Sequence, residues 1–141
     1  MVTAESCTGG GIAAACTDLS GSSAWFERGW VTYANAAKTQ DLGVAESLIQ
    51  THGAVSEPVA AAMARGAQAR AGVGVSVATT GVAGPTGGTA AKPVGLVWFA
   101  WCVGDQLWTE QQIFSGDRAA IRAAAVAHAL SQLQKQLAQH N

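Results

Sequence analysis

Residues 1–17 read MVTAESCTGGGIAAACT, and the fold turns on how they are read. Met1 to Ala4 is the end of a β-strand. Glu5 to Gly11, "ESCTGGG", turns the chain at once, and Gly11 to Thr17, "GIAAACT", has helical composition. When a strand leads directly into a helix, the helix acts as a crossover and the next strand returns parallel to the first.

Working outward, "DLSGSS" at 18–23 is a loop, and the aromatic, β-branched "GWVTYA" at 29–34 predicts a second strand. Asn35 is placed to cap a short helix through "AAKTQDLGV", and Ser56 to cap the next one, with Pro58 tolerated in its first turn. That helix ends near Gly72. Valines at 73, 75 and 77 mark "VGVSVATT" as a buried strand, and a loop rich in Gly and Pro follows. "VGLVWFAWCV" and "QLWTEQQIF" flank Gly104-Asp105, which is a hairpin signal. From Asp117 onward, Val126, Leu130, Leu133 and Leu137 give a long helix one apolar stripe. The order predicts a three-layer α/β/α sandwich around a mixed, mostly parallel sheet of about five strands, as a single domain over residues 1–141.

Composition narrows the function. Hydrophobic residues are 49% and charged residues 12%, which suits a packed core and not a disordered chain. A net charge of −1 supplies no basic surface for nucleic acid. Cys7, Cys16 and Cys102 form no CxxC pair, and His52, His128 and His140 are scattered, so neither a zinc site nor a disulfide scaffold is expected. That cysteine usage suits a reducing cytoplasm. No apolar run is long enough to span a bilayer, and no secretory signal opens the chain.

In open α/β sheets, ligands bind beyond the carboxyl ends of the strands. Ser6 follows the first strand. Tyr33, Asn35 and Lys38 follow the second, and Thr79, Thr80 and Gly81 follow the third. If the last hairpin strand is parallel to these, "SGDR" at 115–118 reaches the same edge. Gly9, Gly10 and Gly11 either make a plain turn or present N–H groups that cradle a phosphate or an oxyanion. Ser6 is either an N-cap or a nucleophile in need of a base. Cys7 is the rival nucleophile, but no histidine is placed to pair with it. Lys38, near a helix start, is the candidate base: burial and the helix dipole both lower its pKa. Tyr33 can pass a proton or orient the pair. Arg118 and Arg122, at the positive end of the last helix, call for an anion or for a partner such as Asp117.

Together "TAESCTGG", "YANAAKTQDLGV", "HGAVSEPVAAAMARGA", "VSVATTGVAGPTGGTAAKPVGLVWFAW" and "FSGDRAAIRAAAVAHAL" resemble the C-terminal domain of the CinA family, the competence/damage-inducible proteins. The match runs in order over nearly the whole chain. It implies an anticodon-binding-domain-like α/β/α fold and hydrolysis of the carboxamide of nicotinamide mononucleotide to nicotinic acid mononucleotide and ammonia. It implies Ser6 as nucleophile, Lys38 as its partner and Tyr33 as a third catalytic residue. It places Thr80 or Thr79, with Arg118, in the nucleotide site. Cys7, Thr8, Gly9, Gly10, Asn35 and Gly81 complete the expected substrate-binding set. No cofactor or metal is expected, and a homodimer is. The family's helix before the first strand has no counterpart in the sequence, nor does the pyrophosphatase-like domain of longer members. Two rival readings keep the same residues: a nucleotide-binding or protein-interaction module without catalysis, and an amidase acting on a different amide.

Overall fold

A computed structural model describes residues 1–140. The elements are β1 (Val2–Glu5), α1 (Gly11–Thr17), a 3₁₀ turn (Ser22–Ala24), β2 (Arg28–Val31), α2 (Asn35–Leu42), α3 (Glu46–His52), α4 (Glu57–Ala71), β3 (Val75–Gly81), β4 (Leu96–Val103), β5 (Gln106–Ile113) and α5 (Arg118–His140). The five strands form one sheet in the order β2-β1-β3-β4-β5.

Strand β1 pairs in parallel with β2 and β3, while β4 is antiparallel to both β3 and β5. Four strands therefore point one way and only β4 opposes them. The expected mostly parallel sheet holds for strand direction, yet the longer ladders are the antiparallel ones, because β3, β4 and β5 are longer than β1 and β2. Since β5 runs with β3, its carboxyl end delivers α5 to the same edge as the ends of β1 and β2.

Side-chain alternation sends successive residues to opposite faces. Val2, Ala4, Ala78, Ala100 and Cys102 pack against Leu42, Ile49, Val59 and Met63, so α2, α3 and α4 cover one face. Val77, Val97, Phe99, Trp101 and Val103 pack against Ile12, Cys16, Ile121, Ala125 and Leu133, so α1 and α5 cover the other. Trp101 is wholly buried, stacked on Phe99 with ring centroids 5.5 Å apart, and its Nε1–H donates to the carbonyl of Ala129 at 2.9 Å. No described helix is long and apolar enough to cross a membrane.

Several boundaries depart from the sequence expectation. Strand β2 ends at Val31 instead of Ala34, because the carbonyls of Thr32 and Tyr33 leave the ladder to accept Lys38 Nζ. Ala34, not Asn35, stands at the N-cap of α2, and Asn35 is its first helical residue. Ser56 does stand at the N-cap of α4, but its hydroxyl turns back to the carbonyl of Gly53 at 2.8 Å and makes no cap hydrogen bond. Thr79 to Gly81 belong to β3, held in the ladder opposite Phe99 to Val97. Helix α3 was not expected: its seven residues bury only Ile49, too little to show a period.

Candidate active site

At the carboxyl edge of the sheet, β1 runs into the turn that carries Ser6. Gly9 and Gly10 take φ of +59° and +97°, which an L side chain rarely adopts, so the tight path into α1 depends on them. The turn is organised around Glu5, which is wholly buried. One carboxylate oxygen accepts the Thr8 hydroxyl at 2.7 Å and the N–H of Ile12 at 2.9 Å; the other accepts the N–H of Ala13 at 3.0 Å. Glu5 thus satisfies the first turn of α1, whose own N-cap, Gly10, has no side chain to do so. The Thr8 and Thr79 hydroxyls lie 2.8 Å apart. With the Thr8 proton given to Glu5, Thr79 is the donor in that pair.

This changes the role open to the glycines. The helix N–H groups that could cradle a phosphate are held by Glu5. The N–H of Gly11 goes to the carbonyl of Thr8, and that of Gly9 to the carbonyl of Ser6. Among the described residues, the N–H groups of Thr8 and Gly10 have no acceptor, which leaves donors for an oxyanion beside Ser6.

Lys38 reaches Ser6 from the first turn of α2. Its side chain is 1% exposed, and Nζ lies 3.2 Å from Ser6 Oγ, 2.8 Å from the carbonyl of Thr32 and 3.1 Å from that of Tyr33. Burial holds its pKa below the usual lysine range. The geometry adds a second argument. A neutral amine has two N–H donors and one lone pair. The two carbonyls take both donors, so the lone pair faces the Ser6 hydroxyl. Cys7, beside Ser6, has its thiol pKa pushed up to about 11, chiefly by burial, and is therefore protonated near neutrality.

A cleft of about 200 Å³ opens on this pair. Ser6, Cys7 and Lys38 line one side, Tyr33 and Asn35 the rim, and Thr80, Gly81, Ala83, Ala54 and Val55 the remainder. The expected residues thus divide. Ser6, Cys7, Tyr33, Asn35, Lys38, Thr80 and Gly81 come together. Thr8 and Thr79 lie behind the cleft as the support of the turn. Of the two threonines left open by the sequence, Thr80 faces the cleft, its hydroxyl donating to the carbonyl of Ala54 at 2.8 Å. Gly9 is exposed and Gly10 partly so, beyond the cleft lining.

Arg118 Nη1 donates to the carbonyl of Gly84 at 2.8 Å, and Nη2 to the Tyr33 hydroxyl at 2.9 Å. Arg122 donates to the carbonyls of Cys7 and Thr8 at 3.1 and 3.3 Å. Neither arginine pairs with Asp117, which caps α5 through the N–H of Ala120 at 2.9 Å. Lys92 Nζ donates to the carbonyl of His52 at 2.6 Å and ties the Gly-rich loop to the end of α3. Sequence reasoning missed the work of Glu5 and the walls given by Ala54, Val55 and Ala83. A glutamate closing a strand gives no sign of being buried until its N–H partners are in place.

Fold and site define a three-layer α/β/α protein with a serine on a strand-to-helix turn and a buried lysine of α2 against it. The chain belongs to the CinA family: the CinA C-terminal domain matches residues 1–137. It is 57% identical over 133 residues to the nicotinamide-nucleotide amidohydrolase PncC of Pseudomonas putida, covering 94% of this chain and 83% of that protein. To the nicotinamide-nucleotide amidohydrolase PncC of Escherichia coli K12 it is 52% identical, covering 99% and 86%. Among solved structures, the competence damage-inducible protein A of Klebsiella pneumoniae superposes with a TM-score of 0.94 at 41% identity, over 97% of this chain and 85% of that one. A CinA superfamily protein of Escherichia coli gives 0.93 at 43%, over 96% and 78%.

Proposed function

We propose that this chain is an amidohydrolase that converts nicotinamide mononucleotide to nicotinic acid mononucleotide and ammonia, with Ser6 and Lys38 as its catalytic pair. The observation that supports the pair is the placement of buried Lys38 Nζ 3.2 Å from Ser6 Oγ, with the carbonyls of Thr32 and Tyr33 as its other two partners, so that a neutral amine would have its lone pair left for Ser6. The amide comes from the relatives named above, at 57% and 52% identity.

Neutral Lys38 takes the Ser6 proton as Oγ attacks the carboxamide carbon. The oxyanion that forms is met by free N–H groups of the Cys7–Gly10 turn. The lysine ammonium returns the proton to the amide nitrogen, and ammonia leaves. Water, deprotonated by the same amine, then hydrolyses the acyl-enzyme to the carboxylate. The small walls of the cleft, Ala54, Val55, Ala83 and Gly81, suit a flat ring, and Arg118 stands at the rim for the phosphate. The reading carries with it a cytoplasmic location, supported by three buried free thiols, and a homodimer, supported by exposed Leu107 and Ile113 on the open edge strand β5.

The test is ammonia release from nicotinamide mononucleotide by the purified protein. The Ser6→Ala protein is expected to lose turnover by about three orders of magnitude or more while still binding the nucleotide. Full turnover in that variant would remove Ser6 from the mechanism, and nucleotide binding without ammonia release by the unaltered chain would favour the non-catalytic module.

A further inference from the structure

The cleft wall formed by Ala54 and Val55 lies in the turn between α3 and α4. Little in that turn holds itself in place. Helix α3 buries only Ile49, and Ala54 and Val55 are half-buried. Among the described residues, no backbone hydrogen bond ties 53–56 to the sheet or to the Gly-rich loop. Side chains do the fastening. The Thr80 hydroxyl donates to the carbonyl of Ala54 at 2.8 Å, and the Ser56 hydroxyl to that of Gly53 at 2.8 Å. Lys92 Nζ, reaching in from the Gly-rich loop, donates to the carbonyl of His52 at 2.6 Å.

Lys92 is built as a fixed arm. Its own N–H donates to Thr89 Oγ1 at 3.0 Å, and its carbonyl accepts the N–H of Thr89 at 2.9 Å. Pro93 follows and restricts the backbone there. At the other foot of the loop, the carbonyl of Gly84 accepts Arg118 Nη1 at 2.8 Å. The loop is therefore held at both ends, while residues 85–91 between them are exposed. The acceptor is prepared as well. His52 closes α3, so its carbonyl has no partner within the helix. Residue 53 is a glycine, and a Cβ there would lie 2.6 Å from Lys92 Nζ, in the space the amine occupies. Among the described residues no carboxylate pairs with Lys92.

We infer that Lys92 is a positioning residue: by holding the last carbonyl of α3 from the Gly-rich loop, it sets the Ala54–Val55 wall of the cleft without touching substrate. This rests on the amidohydrolase reading above. Lys92 does not line the cleft, and the Ser6–Lys38 pair is held by other bonds. Its loss therefore weakens the binding of substrate and transition state alike and leaves the chemical step as it was.

The experiment compares the wild type with Lys92→Met, which keeps the stem and removes the donor, and with Lys92→Arg, which supplies a donor again. Lys92→Met is expected to raise KM for nicotinamide mononucleotide about fivefold, the loss of one hydrogen bond, with kcat within about twofold and the pH–rate profile unmoved. Lys92→Arg is expected to recover most of that KM. Amide hydrogen exchange of residues 53–56, read without ligand, is expected to speed up in Lys92→Met and not in Lys92→Arg. An unchanged KM or unchanged exchange in Lys92→Met overturns the inference, even where the thermal midpoint falls, because Lys92 is then only a structural tie. A fall in kcat with a displaced pH profile also overturns it, by putting Lys92 in the chemistry. If the wild type releases no ammonia, the amidohydrolase reading fails by itself. Exchange then decides for Lys92 alone: faster exchange confined to the methionine variant supports its hold on the wall, and equal exchange overturns it.

Discussion

The Arg122 Nε–H donates to the carbonyl of Cys7 at 3.1 Å, so the second turn of α5 is fastened to the residue that follows Ser6, the proposed nucleophile. The same guanidinium reaches the carbonyl of Thr8 at 3.3 Å. The Ser6 turn is thus gripped from behind by a helix 115 residues further along the chain. Arg122→Ala is expected to release the turn and lower kcat by up to about 10²-fold, the effect of a misplacement on the order of 1 Å. Steady-state ammonia release measures it. A kcat equal to wild type would show that the grip is not needed for catalysis.

The pH dependence follows from Lys38. The proposed mechanism requires its neutral form, and burial sets its folded pKa below the ordinary 10.5. The rate is therefore expected to rise with pH through that lowered pKa and level off once the amine is neutral. Stability moves in the same direction. The unfolded lysine binds its proton more tightly than the folded one, so this residue's contribution is whole above the ordinary pKa and is lost as pH falls through the window down to the folded value. Lys38→Arg, whose charge cannot be removed, is expected to be as inactive as Lys38→Ala at every pH. Recovery of activity in the arginine variant at high pH would contradict the role of base.

Glu5→Gln tests the buried carboxylate. A glutamine oxygen can still accept the N–H of Ile12, but its NH₂ then meets the N–H of Ala13, donor against donor. Loss of that bond in a buried place is expected to cost about 1–3 kcal/mol. Denaturant unfolding reads the loss, and turnover is expected to fall with it because Ser6 is the next residue. An unchanged unfolding midpoint would mean that α1 is held by other groups.

Gly66→Ala is expected to destabilise, against helix propensity, which favours Ala over Gly by about 1 kcal/mol. A Cβ at position 66 of α4 would lie 2.0 Å from the carbonyl oxygen of Leu42, so α4 and α2 would be forced apart. The net loss is expected at about 1–3 kcal/mol, visible as a lower thermal midpoint. Because α2 carries Lys38, a loss of activity should accompany it.

The elements with a strong period were legible in the sequence. The stripe Val126, Leu130, Leu133 and Leu137 located α5, and the valines of β3 and the Gly104-Asp105 turn located the centre of the sheet. Segment order then brought Ser6, Lys38 and Thr80 to one edge. Contacts between uncharged backbone and buried polar groups were not legible. Nothing about Glu5 or Arg122 as letters says that one satisfies a helix start and the other two carbonyls. The Gly-rich turn pointed to a phosphate only because its intramolecular anion, one residue before the serine, was not recognised as such. Helix α3 escaped because a single buried residue, Ile49, shows no period.

An anion that is part of the chain is present at full occupancy at every ionic strength and every nucleotide concentration. A phosphate-binding loop of the open kind waits for its ligand to become ordered. The turn that presents Ser6 needs no such visitor, because the Glu5 carboxylate completes it from within. The N–H groups of Ile12 and Ala13 are therefore already taken before any ligand arrives, and free phosphate or sulfate in the medium does not compete for them.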